Sequence, residues 1–353
     1  MGMRLPDMTP VLGWYRENAR DLPWRHTKDP YRIWVSEIML QQTRVEAVIR
    51  YYERFLARLP DVRALAECPE AELLKLWEGL GYYSRVRNMQ KAAKTIMSKH
   101  GARFPQNFQE IRALSGIGDY TAGAIASFAF DLPYPAVDGN VLRVAARLLN
   151  YDGDILAPAS KKALTAAVWE AQPKENAAEY NQAMIELGAT VCLPNGAPKC
   201  DTCPLFDVCA ARKAGREQVL PVRKKPAPRK VEERTVLILR VGDTVALRQR
   251  PDTGLLASLF EPFSLSGRLT EGEVREKLTA LGIAPLRIAP LGEAKHIFTH
   301  LEWHMVGFEV ELDEKSAQTV RENAEFGLFF TPSYTLDDIY AIPSAYGAYR
   351  PFM

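Results

Sequence analysis

Apolar residues recur every three to four positions through Val45-Glu46-Ala47-Val48-Ile49-Arg50-Tyr51-Tyr52-Glu53-Arg54-Phe55-Leu56. Leu73, Leu74, Leu76 and Trp77 keep that spacing, as do Val141, Leu142, Val144, Ala145, Leu148 and Leu149. Such a period predicts helices with one buried face. Strand-like runs are scarce until residue 230. The texture then changes. Thr235–Val241 is β-branched and apolar, Gly242-Asp243 turns, and Thr244–Arg248 follows, which predicts a hairpin. His304–Leu312 alternates and predicts another strand, and Val274–Leu281 predicts a short helix. The expected architecture is multidomain, an all-α region over residues 1–211 followed by an α+β domain over 231–353. No internal repeat is evident.

Residues 212–230 separate the two. They hold eight basic residues, one acid and three prolines, which predicts an extended linker. Charge divides there as well. Residues 1–230 carry 33 basic and 25 acidic groups, and residues 231–353 carry 12 and 18. The overall charge of +2 is therefore a cancellation between a +8 part and a −6 part. Hydrophobic residues make up 47% of the 353, enough for ordinary cores and too many for a disordered chain. The first residues, Met1-Gly2-Met3-Arg4-Leu5-Pro6, continue polar, so no secretory leader or myristoyl site is expected. No apolar run approaches the ~18 residues of a membrane span. A cytoplasmic protein without membrane attachment is expected, nucleoid-associated if the source is bacterial.

Four segments carry candidate chemistry. Cys192, Cys200, Cys203 and Cys209 fall in a Cys-x7-Cys-x2-Cys-x5-Cys array, whereas Cys68 stands alone. Without export, a compact thiol quartet reads as a metal site, and the spacing suits zinc and an iron–sulfur cluster alike. Leu114-Ser115-Gly116-Ile117-Gly118-Asp119-Tyr120 opens an apolar helical run. Two glycines there fit either a plain helix–helix turn or a backbone cradle for a phosphate. Glu37 has Ile33, Trp34, Leu40 and Gln41 at helical spacing. It is either an exposed helix glutamate or a carboxyl whose pKa an apolar site raises toward that of a general acid. Asp138, in Val137-Asp138-Gly139-Asn140, fits a helix cap or turn as well as a catalytic carboxylate. Between Glu78 and Glu110 there is no acid, and Arg85, Arg87, Lys91, Lys94, Lys99 and Arg103 fit either a solvated helix face or a phosphate-facing stripe.

The Leu114–Ile125 segment resembles the helix-hairpin-helix element of the DNA glycosylase superfamily that includes endonuclease III. Leu22-Pro23-Trp24-Arg25, Glu37–Val45, Trp77–Arg85 and Val137–Val141 resemble the MutY family of adenine DNA glycosylases. The resemblance extends over nearly the whole chain. It implies an all-α helix-hairpin-helix glycosylase domain with an iron–sulfur cluster, then a MutT/Nudix-like α+β domain that recognises 8-oxoguanine. The implied activity is excision of adenine mispaired with 8-oxoguanine (or guanine) in duplex DNA. Glu37 would be the general acid and then the base, and Asp138 would stabilise the oxocarbenium-like sugar. Asn140 and Tyr120 would position the reacting groups, and Arg25 and Gln182 would contact adenine. Gln42 and Tyr82 would fill the opened stack, with Thr43 and Leu80 beside them. Gly116 and Gly118 would approach the DNA backbone. Phe298, Thr299 and His300 match the family's Phe-Ser-His loop, with Thr299 in place of Ser.

Further implications concern cofactor and reaction type. The family places one 4Fe–4S cluster on Cys192, Cys200, Cys203 and Cys209. Its commonest first gap has six residues, and this chain has seven. Tyr120 stands where the bifunctional lyases carry a Schiff-base lysine, which implies a monofunctional enzyme. The competing readings are an endonuclease III-like glycosylase/lyase and a non-catalytic lesion binder. Arg275-Glu276 is followed by Thr279-Ala280, so the carboxylates of a nucleotide pyrophosphatase are missing. The expected partner is duplex DNA with an adenine:8-oxoguanine mispair, bound by a monomer.

Overall fold

The structure, a computed structural model, describes residues 3–194, 196–224 and 228–353. Its contacts divide the chain into two compact units, Met1–Glu67 with Asn88–Lys225, and Cys68–Arg87 with Pro226–Met353.

The first unit is helical. The Pro30–Met39 helix starts where the sequence says it should: Asp29 accepts from the backbone N–H of Tyr31, and Pro30 occupies the first turn. Asn107 caps Phe108–Arg112 in the same way, and Asp138 caps Gly139–Leu148. Asp119–Phe130 and Ala177–Thr190 complete the frame around the site. Val141, Val144, Ala145 and Leu148 bury one face of their helix against Met184 and Leu187 of the Ala177–Thr190 helix and Leu164 of the Pro158–Ala171 helix. Gly188 permits the close approach. A Cβ there would lie 2.6 Å from Asn140 Cβ and 3.1 Å from its Cα.

The second unit carries one seven-stranded sheet: β1 (Lys230–Val241), β2 (Thr244–Gln249), β3 (Phe260–Glu261), β4 (Phe263–Ser266), β5 (Pro285–Ile297), β6 (Leu301–Leu312) and β7 (Leu328–Pro332). β1 is central. It pairs antiparallel with β2 and β4 and parallel with β6, which pairs antiparallel with β5. Alternation along β1 builds two cores. Leu237 and Leu239 face Val274, Leu278 and Val320 of the two helices Glu271–Ala280 and Glu314–Glu322. Val236 and Ile238 face Trp303, Ile342, Tyr346 and Tyr349. The hairpin expected at Gly242-Asp243 is present, with Gly242 at φ +52°.

Two expectations change. The basic stretch 212–230 is not an extended linker throughout. A helix runs Ala210–Lys213, Leu220 is 2% exposed, and its carbonyl accepts from Arg147 Nε at 2.9 Å. Ile155 N–H donates to Val222 O, and β1 already includes Lys230. One apolar residue with a buried arginine donor outweighs the repulsion of the surrounding charges. Residues 225–227 lie outside the described residues. The segment 68–87 groups with the C-terminal unit, against the residues that follow the Leu336–Ile339 helix. Ile342 N–H donates to Glu78 Oε1 at 3.0 Å, and Lys75 Nζ donates to the Tyr340 carbonyl at 3.1 Å.

Candidate active site

Glu37 lies in the last turn of the Pro30–Met39 helix and is 5% exposed. Of the two readings the sequence leaves open, the structure takes the buried one. Burial pushes its pKa up to about 7, the nearby Asp138 charge adds to this, and Tyr120 and Arg25 pull it back. Tyr120 Oη donates to Glu37 Oε2 at 2.7 Å. Tyr120 is held there by the hairpin: Gly118 is the residue before the Asp119–Phe130 helix, and Gly116 sits at φ +77°. A Cβ on Gly116 would meet Asn88 Cβ at 2.6 Å, so this turn requires glycine on both counts.

Asp138 caps the next helix and faces the same cavity. Oδ1 accepts from the backbone N–H groups of Asn140 and Val141, both at 2.8 Å, and Oδ2 accepts from Asn140 Nδ2 at 2.7 Å. Burial pushes its carboxyl up, and these three donors and Arg143 oppose that by stabilising the ionised form. Capping and facing the cavity are thus one arrangement, not alternatives. Arg143 Nη2 in turn holds Asn140 Oδ1 at 2.8 Å.

The cavity measures about 520 Å³, within the range of small-ligand sites. Glu37, Tyr120, Asp138, Asn140, Arg25, Gln182, Gln42 and Thr43 all line it. Two further features have no local sequence signal. Glu186 is fully buried and accepts from Arg20 Nε at 2.7 Å and Arg25 Nη2 at 2.6 Å. Burial alone would raise its carboxyl, but the two arginines hold it down at about 2. Tyr15 Oη donates to Gln182 Oε1 at 2.6 Å. Gln42 adopts φ +59°, a conformation that side chains of this kind rarely take and that concentrates at functional sites.

The remaining expected residues lie outside this cavity. In the second unit Tyr82 has φ +46°, is 49% exposed, and its hydroxyl lies 3.0 Å from Thr299 Oγ1. Thr299 and His300 are exposed at the tip of the β5–β6 hairpin, while the Phe298 ring packs edge-on against Trp303 at 4.8 Å. Leu80 is buried, so its side chain serves packing, and its carbonyl accepts from Arg85 Nη2. The basic stripe shrinks accordingly. Arg85 also bonds the Gly81 carbonyl and covers Trp77 and Tyr82, and burial lowers its pKa to about 10. Arg87 pairs with Glu70 at 2.8 Å. Lys91, Lys94, Lys99 and Arg103 remain exposed.

The four cysteines line a common cavity with Leu148, Leu187 and Leu205. Arg147 Nη1 donates to Cys192 Sγ at 3.1 Å. Among the described residues no group of three or more His, Cys, Asp and Glu side chains is arranged to hold a metal ion. The donor set itself, four thiols in one apolar pocket beside a buried cation, fits a thiolate-bound cluster chemically. Asn195, in the seven-residue gap, lies outside the described residues. Among the described residues no helix is long and apolar enough to cross a membrane.

Comparison with known proteins agrees with this layout. The HhH-GPD superfamily base excision DNA repair protein model matches residues 35–174, and the NUDIX domain model matches residues 235–346. An adenine DNA glycosylase of Mus musculus is 33% identical over 90% of this chain and 72% of its own length. One from Buchnera aphidicola subsp. Baizongia pistaciae is 35% identical, covering 82% of each chain. A thermostable thymine-DNA glycosylase structure superposes with a TM-score of 0.54 at 28% identity, over 58% of this chain and 94% of that one. A trapped endonuclease III–DNA covalent intermediate shares the fold, with a TM-score of 0.51 at 23% identity, over 59% of this chain and 95% of that one. A helical unit with paired carboxylates, a Nudix-like sheet and relatives matched over most of their length converge: this chain belongs to the adenine DNA glycosylase family.

Proposed function

We propose that this chain excises adenine mispaired with 8-oxoguanine (or guanine) from duplex DNA by hydrolysing the N-glycosidic bond. The observation that carries this is Glu37: a buried carboxyl with a pKa of about 7, sharing one cavity with Asp138. A stacked adenine cannot reach such a cavity, so the nucleotide is flipped out, with Gln42 and Tyr82 as the side chains that enter the opened stack. The hairpin glycines, Gly116 and Gly118, offer backbone N–H groups to a DNA phosphate. Arg25 and Gln182 contact the base.

Protonated Glu37 gives its proton to adenine N7, which makes the base a leaving group. The C1′–N9 bond breaks and positive charge develops on the sugar. The Asp138 carboxylate, ionised against its three donors, stabilises that charge. Glu37, now ionised and accepting from Tyr120, takes a proton from the water that adds to C1′. This is the two-carboxylate logic of glycoside hydrolysis applied to a nucleoside. Tyr120 has no amine with which to form a Schiff base, so the reaction ends at the abasic site without strand cleavage. Phe298, Thr299 and His300 read the 8-oxoguanine. Cys192, Cys200, Cys203 and Cys209 hold one 4Fe–4S cluster, whose contribution is to cross-link their loop. The test is release of adenine from a duplex carrying it opposite 8-oxoguanine. Glu37→Gln is expected to abolish single-turnover release, and release at the unmodified rate refutes the acid assignment.

A further inference from the structure

The wall of the cavity that faces the base is held from behind. Tyr15, on the Thr9–Asn18 helix, is 8% exposed. It touches both side chains assigned to the base. Its hydroxyl donates to Gln182 Oε1 at 2.6 Å, and its ring lies under the Arg25 guanidinium, 5.4 Å from the centroid. Arg25 is fixed at its other end by Glu186 Oε2 at 2.6 Å and by the Arg20 carbonyl at 2.9 Å. The series Glu186–Arg25–Tyr15–Gln182 is therefore continuous.

A glutamine amide has two faces of opposite hydrogen-bonding character, and nothing intrinsic selects which one a ligand meets. With Oε1 engaged by Tyr15, the Nε2 group of Gln182 is the part left for the cavity. We propose that Tyr15 is a specificity-determining positioning residue: it fixes the Gln182 amide so that the cavity presents an N–H donor to N1 of the flipped purine, an acceptor in adenine and an N–H in a 6-oxo purine. A freed amide rotates and meets a 6-oxo purine as readily as a 6-amino one. This rests on Gln182 contacting the base.

The experiment compares single-turnover release of adenine and of hypoxanthine, each opposite 8-oxoguanine, by the full-length chain. The variants are Tyr15→Phe, Gln182→Leu and the pair. Tyr15→Phe keeps the ring beneath Arg25 and removes only the hydroxyl. It is expected to reduce the preference for adenine by about three- to tenfold, the worth of one positioned hydrogen bond. It should change nothing in the Gln182→Leu background. The limb of the pH–rate profile set by Glu37 should not move. An equal effect in both backgrounds, or unchanged preference in Tyr15→Phe alone, overturns the proposal. Unchanged preference in Gln182→Leu instead overturns the contact with the base, and is seen without any change at Tyr15. If Tyr15→Phe does not fold, 3-fluorotyrosine at position 15 alters the same donor. It must then change the preference only when Gln182 is present.

Discussion

Removing one oxygen, in Tyr120→Phe, tests the electrostatics of the acid directly. Burial raises the Glu37 pKa to about 7 against the opposing pull of the Tyr120 hydrogen bond. That bond, 2.7 Å from hydroxyl to Oε2, favours the ionised carboxylate. Hydrogen bonds to charged groups contribute roughly 1.5–3 kcal/mol, and one pKa unit corresponds to ~1.36 kcal/mol. Losing the bond therefore raises the Glu37 pKa by roughly one to two units. Since the acid acts protonated, the rate falls as pH rises through that pKa. The assay is single-turnover adenine release across pH 5 to 10 at saturating enzyme. The unmodified chain should show its fall near pH 7, and Tyr120→Phe should hold its plateau to about pH 8–9, even if the plateau itself is lower. A limb that stays in place, or moves to lower pH, refutes both the donor direction and the role of Glu37 as the titrating acid.

Four other outcomes are expected. Glu37→Gln should stabilise the fold at pH 8 by up to about 3 kcal/mol: the native carboxyl titrates near 7 rather than its ordinary 4.5, so the native state is penalised as pH rises from 4.5 through 7. Thermal melts of the two chains should converge below pH 4.5, and a variant less stable at pH 8 contradicts the burial argument. Glu186→Gln leaves Arg20 and Arg25 without their counter-charge and should cost roughly 3–5 kcal/mol in denaturant unfolding. Because the Glu186 pKa is depressed to about 2, that difference should be fully present above pH 4.5 and fade as pH falls toward 2. Asp138→Asn keeps a capping side chain, so its melting temperature should stay within a few degrees while adenine release is lost; a large loss of stability with activity retained reverses the assignment. Anaerobically purified protein should contain four irons per chain, and Cys203→Ala should lose them; stoichiometric zinc without iron points to the other thiolate metal.

What the sequence made legible follows from the range of the forces involved. Burial of Glu37 was one of two readings the sequence left open, suggested by Ile33, Trp34 and Leu40 at helical spacing. Its hydroxyl partner lies 83 residues away, and no local period reports it. Glu186 is a sharper case. It sits one turn after Gln182, but the arginines that justify a buried carboxylate are 161 and 166 residues distant. The basic stripe shrank for a related reason. Composition counts Arg85 as a free charge, whereas the fold uses it to bind the Leu80 and Gly81 carbonyls beneath the Tyr82 turn. In the stretch 212–230, nine charged residues masked one leucine. Leu220 was the signal, an apolar residue that pins the chain where its neighbours favour water.

These long-range pairings share a purpose in the site. Two carboxylates in one cavity would both be driven toward protonation by burial, which would leave no negative charge for the sugar. The chain resolves this by unequal donor supply. Glu37 accepts from the Tyr120 hydroxyl, and burial together with the Asp138 charge outweighs that bond and the Arg25 charge, so its proton is available near neutral pH. Asp138 sits at a helix N-terminus, where two backbone N–H groups have no intrahelical partner, and Asn140 adds a third donor. The cap that starts the Gly139–Leu148 helix is therefore also what favours an ionised Asp138. Asn140 can supply its donor only while Arg143 holds its oxygen and Gly188 leaves room for its Cβ. Division of labour between the carboxylates thus depends on helix packing, and it is fixed before any base enters.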